Sequence, residues 1–177
     1  MRPLRPRYQL VERTASDLLR ENAVTAPAVP VEQLIRHKGI ELLYPDLGKD
    51  VSGVLVRRKD GMVIGLNRRQ AKTRQRFTAA HEFAHALLHT GTEVHHDAGY
   101  RVNLRSDLST KGIDVEEMEA NFFAACLLMP REFLEADPDT FLVDVEDDTT
   151  VTLLARSYGV SSHAMGLRLA SLGKRRA

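Results

Sequence analysis

The hydrophobic residues of the chain fall into periodic runs, and the period changes from helical to alternating and back to helical. Helices are predicted at residues 8–21 and 31–38, and strands at residues 40–44, 51–57 and 62–66. Gly39 closes the second helix, and Asp60-Gly61 marks a hairpin turn between the last two strands. The pattern predicts a small antiparallel sheet that precedes the most apolar part of the chain.

That apolar part begins near residue 77 and contains the motif His81-Glu82-Phe83-Ala84-His85. Apart from the polar residues of the motif, residues 77–88 are almost wholly apolar, which predicts a buried helix. Two histidines four residues apart lie on one helix face about 6 Å apart, so both imidazoles can bind one tetrahedral Zn²⁺. Glu82 is placed to take a proton from a water that the zinc activates. The motif therefore predicts His81 and His85 as metal ligands and Glu82 as the catalytic base.

A third ligand is expected on a second apolar helix, residues 115–129, which Pro130 ends. Glu119 shares a face with large apolar residues, where a carboxylate needs a cationic partner, and it is the predicted third ligand. Glu116 is the second choice, and Glu117 is predicted to point toward small residues. An ion pair between Glu119 and an arginine is the alternative interpretation.

Other metal-binding residue types fit less well. His89 lies about 12 Å along the helix from His81, too far to share one ion. His95 and His96 follow a glycine turn and stay as outside candidates, whereas Cys126 is predicted to be a small buried hydrophobic residue. Residues 90–114 read as a long connecting loop, in which His95, His96, Tyr100 and Arg101 are candidates for stabilising an oxyanion.

Two segments of the chain carry a family resemblance. Arg-Phe-Thr-Ala-Ala-His-Glu-Phe-Ala-His-Ala-Leu-Leu-His (76–89) and Glu-Ala-Asn-Phe-Phe-Ala-Ala-Cys-Leu-Leu-Met-Pro (119–130) resemble the ImmA/IrrE metallo-endopeptidases of bacteria and phages. Phe83-Ala84 replaces the commoner Leu-Gly, which changes packing and leaves metal binding intact. The resemblance implies a gluzincin-like site with His81, His85 and Glu119 as zinc ligands and Glu82 as the base. It also implies cleavage of a helix-turn-helix repressor, which derepresses stress, phage or mobile-element genes.

Composition restricts the setting of this chemistry. The chain has 177 residues, a net charge of +1 and a single cysteine, so an internal disulfide is excluded and a reducing cytoplasm is expected. No apolar run reaches membrane-spanning length, and the small net charge argues against a nucleic-acid footprint over the whole chain. Zn²⁺ is the expected cofactor, with Mn²⁺ as an alternative. The basic block at residues 57–76 is predicted to be a solvated face or, alternatively, a surface that recruits an acidic substrate protein.

The C-terminal segment supplies the main alternative function. Residues 151–157 and 161–172 have the spacing of a helix-turn-helix pair, with Ser161 as a plausible N-cap. Its second helix offers few groups for base edges: Ser161, Ser162, His163 and Arg168. The predicted architecture is an α+β zincin-like peptidase domain (1–145) with a helix-turn-helix-like segment (146–177) packed on it. A DNA-binding regulator acting through residues 146–177, or an antitoxin-like protein with a structural metal, is the alternative to a peptidase with a repressor substrate.

Overall fold

A computed structural model of the chain describes residues 5–90, 115–137, 140 and 149–173, together with the backbone of residues 94–98 and 148. The helices are α1 (Tyr8–Glu21), α2 (Val31–His37), α3 (Lys72–Leu88), α4 (Val115–Leu128), α5 (Arg131–Ala136), α6 (Asp148–Tyr158) and α7 (Ser162–Gly173). The strands are β1 (Glu41–Leu43), β2 (Val51–Arg58), β3 (Gly61–Leu66) and β4 (Val94–Ala98). The predicted α+β class is confirmed, and each predicted helix and strand is present within a few residues of its expected bounds.

The sheet is mixed, which corrects the prediction of a purely antiparallel one. Its strand order is β1-β3-β2-β4; β2 runs antiparallel to β3 and β4, but β1 runs parallel to β3. The fourth strand was not predicted, because residues 94–98 lie in the segment that we expected to be an unstructured connection. Tyr100 and Arg101, the other candidates in that segment, lie outside the described residues.

Helix α3 occupies the centre of the molecule. It packs on β2 and β3 on one side and along α4 on another, and α1 covers α4 in turn. Ten consecutive or nearly consecutive residues of α3, from Gln75 to His85, are buried, as the apolar run predicted. One continuous core joins the sheet, α3, α4 and the C-terminal helices.

Helix α3 approaches the sheet most closely at Gly53 in β2. A Cβ atom at Gly53 would meet Thr78 Cγ2 at less than the 3.0 Å that real Cβ contacts keep, and would lie 3.4 Å from Glu82 Cγ. Glycine is therefore required by the close approach of strand and helix, and the Glu82 side chain lies against β2.

The C-terminal helices are fastened to the rest of the fold. Ser161 caps α7, since its Oγ accepts a hydrogen bond from the Ala164 backbone N–H at 3.2 Å, which confirms the predicted N-cap. The Arg76 guanidinium on α3 donates to the Gly159 carbonyl between α6 and α7, at 3.1 Å, and to the Val29 carbonyl at 2.8 Å. Arg168 is 1% exposed and donates to the Met129 carbonyl. The predicted domain boundary after residue 145 lies outside the described residues.

Among the residues that the structure describes, no helix combines the length and apolarity needed to cross a membrane.

Candidate metal centre

The two motif histidines lie side by side on the buried face of α3. His81 is fully buried and His85 is 2% exposed, and their Nε2 atoms are 3.2 Å apart. The helix forms here because residues 77–88 lack proline and glycine and bury an almost continuous apolar surface. One turn of helix separates the two imidazoles, as the spacing predicted.

A carboxylate from α4 completes the cluster, and it belongs to Glu117. Its two oxygens lie 3.3 Å from His81 Nε2 and 3.2 Å from His85 Nε2. A tetrahedral ion bound at 2.0–2.1 Å keeps its donor atoms about 3.3 Å apart, and each carboxylate oxygen lies at about this distance from its nearer imidazole nitrogen. Among the described residues, His81, His85 and Glu117 form a group that can hold a metal ion. Two imidazoles and one carboxylate are a donor set that suits Zn²⁺.

The structure corrects the third ligand that the sequence predicted. Glu119 is fully buried, but its carboxylate faces Arg7 and His89 and not the paired imidazoles. Successive helical residues are turned by about 100°, so Glu119 projects about 200° away from Glu117 around α4. The alternative, a rim carboxylate paired with an arginine, is therefore right about the ion pair, but Glu119 is fully buried and does not lie at the rim. Glu116, the second choice, is buried at the first turn of α4 and is absent from the donor group.

The orientation of α4 explains why Glu117 was missed. From Glu119 to Leu128 this helix is buried almost all round, so its apolar positions do not define one inward face. The useful signal was the stripe of small residues that includes Ala120 and Ala124, because small side chains let two helices approach closely. Glu117 lies at helical spacing from both.

Asn121 lies one turn beyond Glu117 and orients His81. Its Oδ1 is 2.7 Å from His81 Nδ1 and can accept that ring's N–H, which leaves the Nε2 lone pair directed at the donor cluster. Such a partner on the far ring nitrogen is usual for metal-binding histidines. Sequence reasoning named neither Asn121 nor Arg7.

A line of polar groups runs from His85 in the other direction. His85 Nδ1 is 3.0 Å from His89 Nδ1, and His89 Nε2 is 3.1 Å from Glu119 Oε2. Arg7 donates hydrogen bonds to the same carboxylate from its side chain and from its backbone N–H. Burial alone would raise the pKa of Glu119, but hydrogen bonds from Arg7 and His89 bring that pKa down to about 2, so the group is a carboxylate at neutral pH.

The remaining candidate residues are not members of the donor group or are described only in part. Glu82 is fully buried on α3 next to β2. Cys126 is 4% exposed and is absent from the donor group, which agrees with its interpretation as a small hydrophobic residue. His95 and His96 lie on β4, paired with Leu55 and Val54 of β2.

The fold and this cluster define a class of protein: an α+β domain in which one helix presents two histidines and a neighbouring helix presents a carboxylate. The family model of the IrrE N-terminal-like domain, Peptidase M78, matches residues 35–170. The chain therefore belongs to this peptidase family, as the sequence resemblance implied.

A similar fold is also found among solved structures. A Mycobacterium tuberculosis transcriptional regulator is similar with a TM-score of 0.55 and 19% identity. The match covers 90% of this chain and 46% of that one, so this chain spans about half the length of its structural relative. No curated protein matches the chain.

Proposed function

We propose that this chain is a zinc-dependent endopeptidase of the gluzincin type, in which His81, His85 and Glu117 hold the ion and Glu82 is the general base. The observation that carries the proposal is the convergence of three donors: the two Nε2 atoms lie 3.2 Å apart, and the two oxygens of the Glu117 carboxylate lie 3.3 Å from His81 Nε2 and 3.2 Å from His85 Nε2. Each residue offers one donor atom, which leaves one tetrahedral position for water or substrate. Mn²⁺ is the alternative ion.

The chemistry divides between the ion and the protein. When bound, a divalent ion supplies Lewis acidity that activates water and polarises a peptide carbonyl. Glu82 accepts the proton of the attacking water and then delivers it to the leaving amine. Glu82 directly follows the first proposed ligand on α3, and its side chain lies against β2 at Gly53. His81 is held by Asn121 throughout the reaction.

The edge of the sheet offers a way to bind a peptide. β4 is the terminal strand in the order β1-β3-β2-β4 and pairs with β2 on its inner side. A peptide substrate in extended form would add to the outer side of β4 through main-chain hydrogen bonds, the way in which peptides add to sheet edges in other proteins. Because β2 contacts α3 at Gly53, this edge belongs to the same sheet that packs on the helix of the two histidines.

A helix-turn-helix repressor is the substrate class that we propose. The resemblance of residues 76–89 and 119–130 to the ImmA/IrrE peptidases supports it, and such a substrate places the reaction in the cytoplasm. Cleavage would release stress, phage or mobile-element genes from repression.

The test compares wild-type protein with Glu82→Gln, which leaves the three ligands in place. Both proteins are expressed in the host that carries the chain, and new protein N-termini are mapped by amine labelling and mass spectrometry. We expect equal zinc content, and at least one new N-terminus with the wild type that Glu82→Gln does not produce. Zinc-loaded wild type that yields no such terminus under any inducing condition would contradict the peptidase proposal.

The DNA-binding alternative is weakened at one of its residues. Arg168 was among the few groups of the second C-terminal helix expected to reach base edges, and it is buried against the Met129 carbonyl. Salt-dependent binding of duplex DNA by the full chain, abolished by changing exposed Ser162 and His163, would favour the alternative.

A further inference from the structure

Behind the donor cluster, a buried line of hydrogen bonds connects His85 to the N-terminal end of α1. It passes from His85 Nδ1 to His89 Nδ1 at 3.0 Å and from His89 Nε2 to Glu119 Oε2 at 3.1 Å. It ends at Arg7, whose Nη2 lies 2.6 Å from Oε2 and whose Nε and backbone N lie 2.9 and 2.6 Å from Oε1. The side chains of His85, His89 and Glu119 are at most 3% exposed. The line is thus shielded from water between His85 and Glu119, whereas the Arg7 side chain at its end is 37% exposed.

The geometry permits one assignment of protons once His85 serves as a ligand. His85 Nε2 must then present a lone pair to the ion, so its proton lies on Nδ1. That N–H donates to His89 Nδ1, and the proton of His89 therefore lies on Nε2, where it donates to the Glu119 carboxylate. Each ring is neutral, each contact has one donor and one acceptor, and the acceptor at the end is the carboxylate.

From this we infer that His89 and Glu119, with Arg7 fixing the carboxylate, are positioning residues that strengthen His85 as a metal ligand. A histidine ligand is usually oriented by a single carboxylate or carbonyl on its far nitrogen. Here the imidazole of His89 lies between His85 and the Glu119 carboxylate, and the negative charge of Glu119 polarises both rings. Because the side chains of His85, His89 and Glu119 are buried away from water, this polarisation is stronger than it would be at the surface. The inference rests on the proposed metal site.

This role accounts for two features that the metal cluster leaves unexplained. His89 is the residue at which α3 ends, in an extended conformation, and its ring nonetheless turns back toward His85. Glu119 is a fully buried carboxylate on an apolar helix, which is costly unless its charge is used and compensated. Arg7 also reaches the Leu88 carbonyl at 3.4 Å, so the same guanidinium binds the end of the helix that carries both histidines.

The test measures zinc affinity of the purified full chain by competition with a chromogenic chelator. We expect Glu119→Gln and His89→Phe each to weaken zinc binding about 10- to 100-fold, the usual effect of losing an outer partner of a metal-binding histidine. Because both residues act through one line, the double variant should bind zinc no more weakly than about the weaker single variant. Glu132→Gln, an exposed glutamate on α5, is the matched control and should leave the affinity unchanged.

A second measurement separates positioning from general stability. The visible spectrum of the Co²⁺-substituted protein reports the ligand field, so the variants should shift its bands, whereas a variant that only destabilises the fold would keep them. Arg7→Lys keeps the charge but loses the forked contact, and we expect a loss of zinc affinity smaller than that of Glu119→Gln. This variant serves the test if Glu119→Gln does not fold.

The outcomes distinguish this inference from the proposed function. If the wild type takes up no zinc, Co²⁺ or Mn²⁺, the proposed function fails and the positioning role fails with it. If the wild type binds one equivalent, and folded His89→Phe and Arg7→Lys bind it within twofold with unchanged Co²⁺ bands, only the positioning role is overturned.

Discussion

Replacing Gly53 by alanine tests the close contact between strand β2 and helix α3, which carries His81, Glu82 and His85. The added methyl group would meet the Thr78 methyl at a separation that ordinary side chains never adopt, with the Gly65 carbonyl oxygen 3.3 Å away on the neighbouring strand. Thr78 is 2% exposed and β-branched, so its side chain has few rotamers to which it can escape. Strand β2 and helix α3 must therefore separate.

The size of the effect follows from opposing contributions. Overpacking a tight interior typically costs about 1–3 kcal/mol. Alanine restricts the unfolded chain more than glycine does, which returns about 0.4–1 kcal/mol. We expect Gly53→Ala to lower the free energy of unfolding by about 1–2 kcal/mol. It should also lower peptidase activity, since the clash with Thr78 displaces the helix that carries Glu82.

A double-mutant cycle with Thr78→Ser makes the prediction specific, because serine lacks the methyl group that clashes. Thr78→Ser alone should cost about 0.8 kcal/mol for the lost methyl group. In that background Gly53→Ala should cost at least about 1 kcal/mol less than it does in the wild type. Urea unfolding of the metal-free proteins, followed by circular dichroism, measures all four corners. A Gly53→Ala cost that is the same in both backgrounds would refute the reasoning.

Three further predictions rest on separate parts of the structure. Gly166→Ala should raise the free energy of unfolding by about 0.5–1 kcal/mol, because the new methyl group makes only an ordinary contact, 3.9 Å from Val151 Cγ1. Urea unfolding measures this change, and a loss of stability would contradict the prediction. Burial, with a smaller contribution from the charge of Asp137, raises the pKa of Tyr158 to about 12, so this residue contributes stability that is complete below pH 10 and is lost as the pH rises toward 12. The melting temperature should therefore fall less steeply between pH 9 and 12 in Tyr158→Phe than in the wild type. Parallel curves would contradict the raised pKa of Tyr158. Glu117→Gln should weaken zinc binding roughly 100-fold or more, since one ligand contributes about 3 kcal/mol, and calorimetry that finds wild-type affinity would remove Glu117 from the site.

Local features of the structure could be predicted from the sequence because local patterns determine them. The bounds of α1 are those predicted, since its apolar spacing and the break after it are both encoded within residues 8–30. The hairpin turn between Arg58 and Gly61, one residue earlier than Asp60-Gly61, and the Ser161 cap likewise depend on neighbours in the chain. The parallel pairing of β1 with β3 could not be predicted in this way, because it depends on contacts between segments that are distant in sequence.

The third ligand shows the same limit at the scale of the site. Sequence spacing places two histidines on one face of α3, but the face that α4 turns toward them depends on how two helices pack. Large apolar residues near Glu119 predict that its face is the inward one, whereas the contacts of Glu117 and Asn121 show which face of α4 is turned toward the imidazoles. The same error hid the role of Arg7, which lies 112 positions from Glu119 in sequence.

The contacts of Arg76 bear on the order in which the parts of a newly made chain can fold together. Its guanidinium joins the carbonyls of Val29 and Gly159, which a ribosome produces at widely separated times. Until residue 159 has emerged from the exit tunnel, Arg76 cannot donate to the Gly159 carbonyl, and the helix that bears the histidines lacks that anchor. This anchor of α3 therefore forms only after residues 29–159 have all been synthesised, so docking of the helix against the C-terminal pair cannot be completed earlier in synthesis.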